Sequence, residues 1–228
     1  MHSITRRDFV RLGAAVAGTC ASAGRLNAAP LRLPIGLQLY SVRELLPKDF
    51  DGTLRKVREA GYTEVEAAGY YDRTAADFRK AMDKAGLRCT STHHTLALLL
   101  AHQDELIEYG RALGLDFMIC PWPMRRDPAL SGALTLDDWR WVAAAGRNPV
   151  DYLSKTPERF PLLHVKDMAR GAMGKFHSTV MGRGVVDYRA ILRAATGLKH
   201  YFIEQEEFDM DTMEALRLDA EYMRKLEL

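Results

Sequence analysis

The chain has 228 residues with a formal net charge of +2 and 47% hydrophobic composition, enough apolar material for one sizeable core. The positive charge is concentrated at the N-terminus, and setting Arg6, Arg7, Arg11 and Arg25 against Asp8 leaves about −1 for the remainder. A nucleic-acid partner, which would call for a clustered excess of Lys and Arg, is therefore not expected.

Residues 1–29 come first in chain order. Thr5-Arg6-Arg7-Asp8-Phe9-Val10-Arg11 precedes a weakly apolar Ala/Gly-rich run, and small residues at Ala28 and Ala29 offer a cleavage point before Pro30. This pattern reads as a twin-arginine export signal and predicts a periplasmic protein. No later stretch reaches the ~20 apolar residues of a membrane span. Residues 30–228 are expected to form one domain. Cys89 and Cys120 both fall in apolar, strand-like runs, as buried core thiols do, and a disulfide is the alternative in an oxidising compartment.

From residue 33 onward, short runs rich in β-formers alternate with segments of helical period. Strands are predicted at 35–41, 63–67, 87–92 and 116–121. Helices are predicted at about 50–60, 74–85 and 96–113, each followed by a glycine. The strand starts are roughly 24 to 29 residues apart, a βα repeat that implies parallel strands with crossover helices. The rhythm then fails between 121 and 160, where the sequence gives a polar loop, a helix entered near Thr135, a turn at Gly146-Arg147-Asn148-Pro149 and a short helix from Val150. A strand at 161–165, a helix at 186–195, a strand at 200–204 and a closing amphipathic helix at 213–226 complete the chain. The expected fold is α/β, a TIM-barrel-like repeat left incomplete with about six parallel strands where a closed barrel has eight.

Chemistry concentrates at two strand ends, Leu163-His164-Val165-Lys166-Asp167 and Ile203-Glu204-Gln205-Glu206-Glu207. A histidine and a carboxylate on neighbouring strand ends can share a divalent cation. For an isolated pair, a core histidine beside a solvated acidic loop is the competing reading. His93 and His94 end the third strand, and alternation turns one of them inward and the other outward. Trp122 and Trp139 could offer an apolar face to a sugar ring, but packing in the core or on a helix surface is the preferred reading for each.

These residues resemble the sugar phosphate isomerase/epimerase family of xylose-isomerase-like TIM barrels. Ile35-Gly36-Leu37-Gln38-Leu39-Tyr40-Ser41, Gly61-Tyr62-Thr63-Glu64-Val65-Glu66 and Ser91-Thr92-His93-His94 look like its first three βα units. The His-Val-Lys-Asp run, Gly182-Arg183-Gly184-Val185-Val186-Asp187 and Tyr201-Phe202-Ile203-Glu204-Gln205 look like its last two. The resemblance implies a sugar isomerase or epimerase acting by metal-assisted proton transfer next to a carbonyl, with a small-molecule sugar as substrate. It implies a divalent metal, manganese or similar, held by His164 and Glu204, with Asp138 as a further candidate three positions before Trp141. Glu204 would also be acid/base and Lys166 a positioning donor, both catalytic, while His93, His94 and Glu66 would border the substrate.

The chain departs from the family pattern near 140/141, where the fifth and sixth strands, about sixty residues, have no counterpart. The family's fifth-strand carboxylate is missing with them. Weak or no turnover is expected, and the rival readings are a catalytically degenerate sugar-binding protein or a non-functional truncated relic. Loss of two strands would also leave unpaired edges, which homo-oligomerisation could cover.

Overall fold

The computed structural model describes residues 32–120, 149–155, 157–171 and 176–228. The export motif, Asp138, Trp122, Trp139 and the junction at 140/141 lie outside them. Six strands, β1 (Gly36–Gln38), β2 (Glu64–Ala67), β3 (Arg88–His93), β4 (Phe117–Ile119), β5 (Leu162–Val165) and β8 (His200–Ile203), form one parallel sheet in the order β4-β3-β2-β1-β8-β5. Helices α1 (Phe50–Ala60), α2 (Ala75–Ala85) and α3 (Leu96–Leu113) connect the first four strands. Helices α4 (Pro149–Lys155), α5 (Tyr188–Ala194) and α6 (Thr212–Lys225) belong to the second half. Among the described residues the result is an incomplete TIM barrel, in line with the six strands expected from the sequence.

Local chemistry explains the helix boundaries. Asp49, Thr74 and Thr95 cap the starts of α1, α2 and α3 by accepting hydrogen bonds from Gly52, Asp77 and Leu98 amides. All three helices stop at a left-handed glycine, such as Gly61 with φ of 110°, a conformation costly for residues with a Cβ. In α1, Leu54, Val57 and Ala60 recur at helical spacing and are buried, and in α2 Phe78, Ala81 and Met82 do the same.

Alternation along the strands divides the molecule into two regions. Leu37, Val65, Tyr201, Ile203 and Val165 are buried against the helices. Their neighbours Gln38, Glu64, Glu66, His164, His200 and Phe202 face the inside of the curl, where the contacts described below join them across the strands. Gly36 is the close-approach point on β1, because Phe202 of β8 occupies the place its side chain would take. At the N-terminal end of the strands, His200 Nδ1 lies 2.8 Å from Glu64 Oε2 and its Nε2 lies 3.7 Å from Asp116. Arg88 joins both carboxylates, at 3.6 Å from Glu64 and 2.7 Å from Asp116. These contacts tie the start of β8 to that of β4, on opposite sides of the curl.

Two features differ from the sequence expectation. The first strand ends at Gln38 and the chain turns into a 3-10 helix, Leu39–Val42, because the Gln38 side chain accepts a hydrogen bond from the Tyr40 amide and caps that turn. An antiparallel hairpin, β6 (Asp167–Arg170) with β7 (Phe176–Thr179), follows β5 at the C-terminal face. Its strands are too short and too polar to stand out from a loop in the sequence. Ser178 fastens it to the segment after β8: its hydroxyl accepts from the Glu206 and Glu207 amides at 3.1 and 2.9 Å, and its amide donates to Glu207. Cys89 is buried, and burial pushes its thiol up to about 12, whereas Cys120 is exposed, contrary to the reading of both as core thiols. No helix among the described residues is long and apolar enough to cross a membrane.

Candidate active site

All six strands run the same way, so Gln38, Glu66, His93, His164 and Glu204 reach one mouth of the curled sheet. Parallel pairing sets His164 opposite Phe202 and Val165 opposite Ile203, so Lys166 and Glu204 follow at one level and His164 is the inward-facing residue just before them. His164 Nδ1 lies 3.0 Å from Glu204 Oε2, and His164 Nε2 lies 2.6 Å from Glu66 Oε1. A carboxylate can only accept, so the ring donates from both nitrogens and sits between two anions.

The electrostatics follow from that placement. Burial would by itself lower the basicity of His164, but hydrogen bonds to Glu204 and Glu66 carry its pKa up to about 9. Burial works against ionisation of Glu204, yet the hydrogen bond from His164 and the Lys166 charge 3.6 Å away hold its carboxyl below the usual value. Lys166 also pairs with Glu206, so its ammonium lies between two carboxylates at the mouth. Arg43 reaches the same rim, donating to the Glu206 carbonyl at 3.3 Å while its guanidinium lies 4.3 Å over the exposed Tyr40 ring.

The two adjacent histidines separate. His93 turns inward, 3.2 Å from Gln38 Nε2 and 3.7 Å from Glu66, and burial lowers its pKa against the pull of Glu66. His94 turns to the other side, buried 3.2 Å from the Tyr70 hydroxyl and in edge contact with its ring, so it packs rather than facing the mouth. Glu66, expected to border a substrate, is wholly buried behind His164 and held by Gln38 at 2.6 Å. The register between β2 and β3 shifts at this level, with Thr90 of β3 as the extra residue, while β2 continues unbroken through Glu66. Gln38 is the member of the cluster that sequence reasoning missed as a site residue; its place at the end of the first strand was the available signal.

The donors that could hold a divalent cation are His164 Nδ1 and Glu204 Oε2, an imidazole nitrogen and a hard oxygen converging at the strand ends. A cation there would take the place of the Nδ1 proton, so the pair fits half of a coordination shell. No group of three or more His, Cys, Asp or Glu side chains placed to hold an ion occurs among the described residues, and Asp138 lies outside them. Along β5, a cavity of about 460 Å³ is lined largely by apolar side chains, including Leu153, Phe160, Val186 and Ile191, together with His164 and Lys166. That places it beside the polar cluster, along the strand that pairs only with β8 among the described residues.

Fold and site together define a (β/α)-barrel protein with a polar histidine–carboxylate cluster at the C-terminal mouth, where such barrels carry their chemistry. Two crystal structures of sugar phosphate isomerase/epimerases from Parabacteroides distasonis ATCC 8503 share this fold, with TM-scores of 0.62 and 0.63. They are 20% and 21% identical to this chain, and the alignments cover 86% and 84% of it and 94% and 98% of theirs. No protein-family description and no curated protein matches the sequence.

Proposed function

We propose that this protein is a sugar isomerase or epimerase that moves a proton next to a carbonyl. The supporting observation is the His164–Glu204 pair, 3.0 Å apart at the C-terminal mouth and flanked by Lys166. The likeness in fold to the Parabacteroides isomerase/epimerases points the same way. Fold alone does not carry function, so the site bears the weight.

In this reading Glu204 is ionised at neutral pH and is the group that removes and returns the proton. Lys166, held between Glu204 and Glu206, donates to a sugar oxygen, and the inward His93 borders the substrate. His164 and Glu204 would hold a divalent cation, which would polarise the carbonyl. The fifth-strand carboxylate implied by the sequence resemblance has no counterpart, so turnover is expected to be weak, each such group contributing roughly 10²–10⁴ in rate. The twin-arginine motif supports an exported protein, and a homo-oligomer would cover the strand edges.

The test is solvent exchange. Aldoses and ketoses incubated with the protein and Mn²⁺ in D₂O are expected to take up deuterium at the carbon beside the carbonyl. The Glu204→Gln variant should lower the rate by roughly 10²-fold or more. Equal exchange by wild type and variant would remove Glu204 from the chemistry. Sugar-induced stabilisation without any exchange would instead select a sugar-binding protein.

A further inference from the structure

Glu66 is absent from the sugar-facing surface of the site, and four observations concern what it does there. It is 0% exposed, so a substrate entering the mouth cannot touch it. One oxygen, Oε1, meets both Gln38 Nε2 and His164 Nε2 at 2.6 Å. Gln38 is itself fixed, because its Oε1 accepts the Tyr40 amide at 2.8 Å and turns its NH₂ toward Glu66. Finally, the extra residue at the β2–β3 register shift is Thr90 on β3, so β2 runs unbroken through Glu66 and alternation turns this side chain into the curl.

We infer that Glu66 is a positioning residue: it clamps the Nε2–H of His164 and so turns Nδ1 toward Glu204 in the reactive pair. A histidine ring can rotate about its Cβ–Cγ bond and can carry a single proton on either nitrogen. A buried carboxylate at Nε2 removes both freedoms, as carboxylates behind metal-binding histidines do. The carboxylate is anchored by Gln38, its partner on the neighbouring strand β1, and reaches across to β5, which makes the arrangement a relay over β1, β2, β5 and β8. Its second oxygen, Oε2, is buried without a partner, so the acceptor capacity of the group is concentrated on the Gln38–His164 side. The inference rests on the proposed reading of His164 and Glu204 as the reactive pair, but the ring orientation can be measured without turnover.

The experiment uses the full chain with ¹⁵N-labelled histidine, the His164 signals being assigned by their loss in His164→Gln. Wild type is expected to show a slowly exchanging, far-downfield Nε2–H proton on His164. That proton should be lost or move upfield in Glu66→Ala and be retained in Glu66→Gln, whose amide oxygen still accepts. Mn²⁺ titrated alone, followed by electron paramagnetic resonance, should bind roughly 10–100-fold more weakly to Glu66→Ala, with Glu66→Gln close to wild type. An absent Nε2–H signal in wild type, or one unchanged in Glu66→Ala, would overturn the inference, and the wild-type spectrum decides even if the alanine variant fails to fold. Wild type lacking both Mn²⁺ affinity and proton exchange, with the Nε2–H signal intact and lost in Glu66→Ala, would sink the isomerase reading and leave the role of Glu66 standing.

Discussion

A Cβ placed on Gly36 would stand 2.5 Å from Cδ1 of Phe202, so the aromatic ring of β8 fills the space that a side chain on β1 would need. The two strands are parallel neighbours with these residues in register, and the inside of the curl has room for one side chain at that level. Gly36→Ala is therefore expected to destabilise the fold by about 1–3 kcal/mol, the usual cost of overpacking a filled core. Urea unfolding should show a lower midpoint at unchanged slope. An unaltered midpoint would mean that the sheet opens there without penalty.

Stability should also depend on pH through Asp219. This carboxyl is fully buried on α6, accepts the Met181 amide at 2.8 Å through one oxygen, and has no partner for the other. Burial, with the nearby Asp167 charge adding to it and Arg183 opposing, raises its pKa from 3.8 to about 7. The folded state thus holds a proton that the unfolded chain releases. The contribution to stability is complete below about pH 4 and is lost as pH rises toward about 7, at ~1.4 kcal/mol per unit in the steepest case. Asp219→Asn should abolish this slope. Parallel pH profiles for the two proteins in that window would contradict the assignment.

Removing members of the ion cluster at the base of the sheet should have unequal effects. Glu64 and His200 side chains are 5% and 12% exposed, while Arg88 is 58% exposed. Glu64→Ala removes the 2.8 Å partner of a buried histidine and is expected to cost about 1–3 kcal/mol. Arg88→Ala, at the solvent edge, should cost under about 1 kcal/mol. Equal losses measured by chemical denaturation would show that the network shares its energy differently.

Asp167 organises the segment from Gly182 to Val186. Its carboxylate accepts amides from Met168, Gly182, Gly184 and Val186 at 2.9, 2.8, 2.9 and 3.3 Å, and Gly184 approaches it too closely for a side chain. Asp167→Ala should leave these donors unsatisfied, at roughly 1–3 kcal/mol for each group that stays buried. The expected readout is faster tryptic cleavage after the exposed Arg183, with far-ultraviolet circular dichroism retained. An unchanged cleavage rate would place the order of this segment elsewhere.

Much of this architecture was legible from residue patterns. The capping residues Thr74 and Thr95 and the glycines at 61, 86 and 114 delimit helices that depend on local hydrogen bonds, so their limits in the structure match the periodic segments. The convergence of His164 and Glu204 was legible for a related reason, since neighbouring parallel strands bring their C-terminal ends to one edge. Less was legible where a partner lies across the barrel. Alternation required His93 and His94 to part but could not say which enters the mouth, and nothing local to Glu66 announces a hydrogen bond to a residue 98 positions away. The hairpin of β6 and β7 escaped notice because its order comes from Ser178 and the Glu206–Glu207 backbone rather than from an apolar face of its own.

The amino-acid order by itself determined the alternation of strands and helices and the chemical identity of the groups at the strand ends, because each of these depends on contacts within a few residues. The tertiary structure alone decided that Glu66 stands behind His164, that Phe202 occupies the place beside Gly36, and that His200 bridges toward Asp116. Those distances are set by how sharply six short strands curl, and curvature is a property of the whole sheet that no single segment encodes.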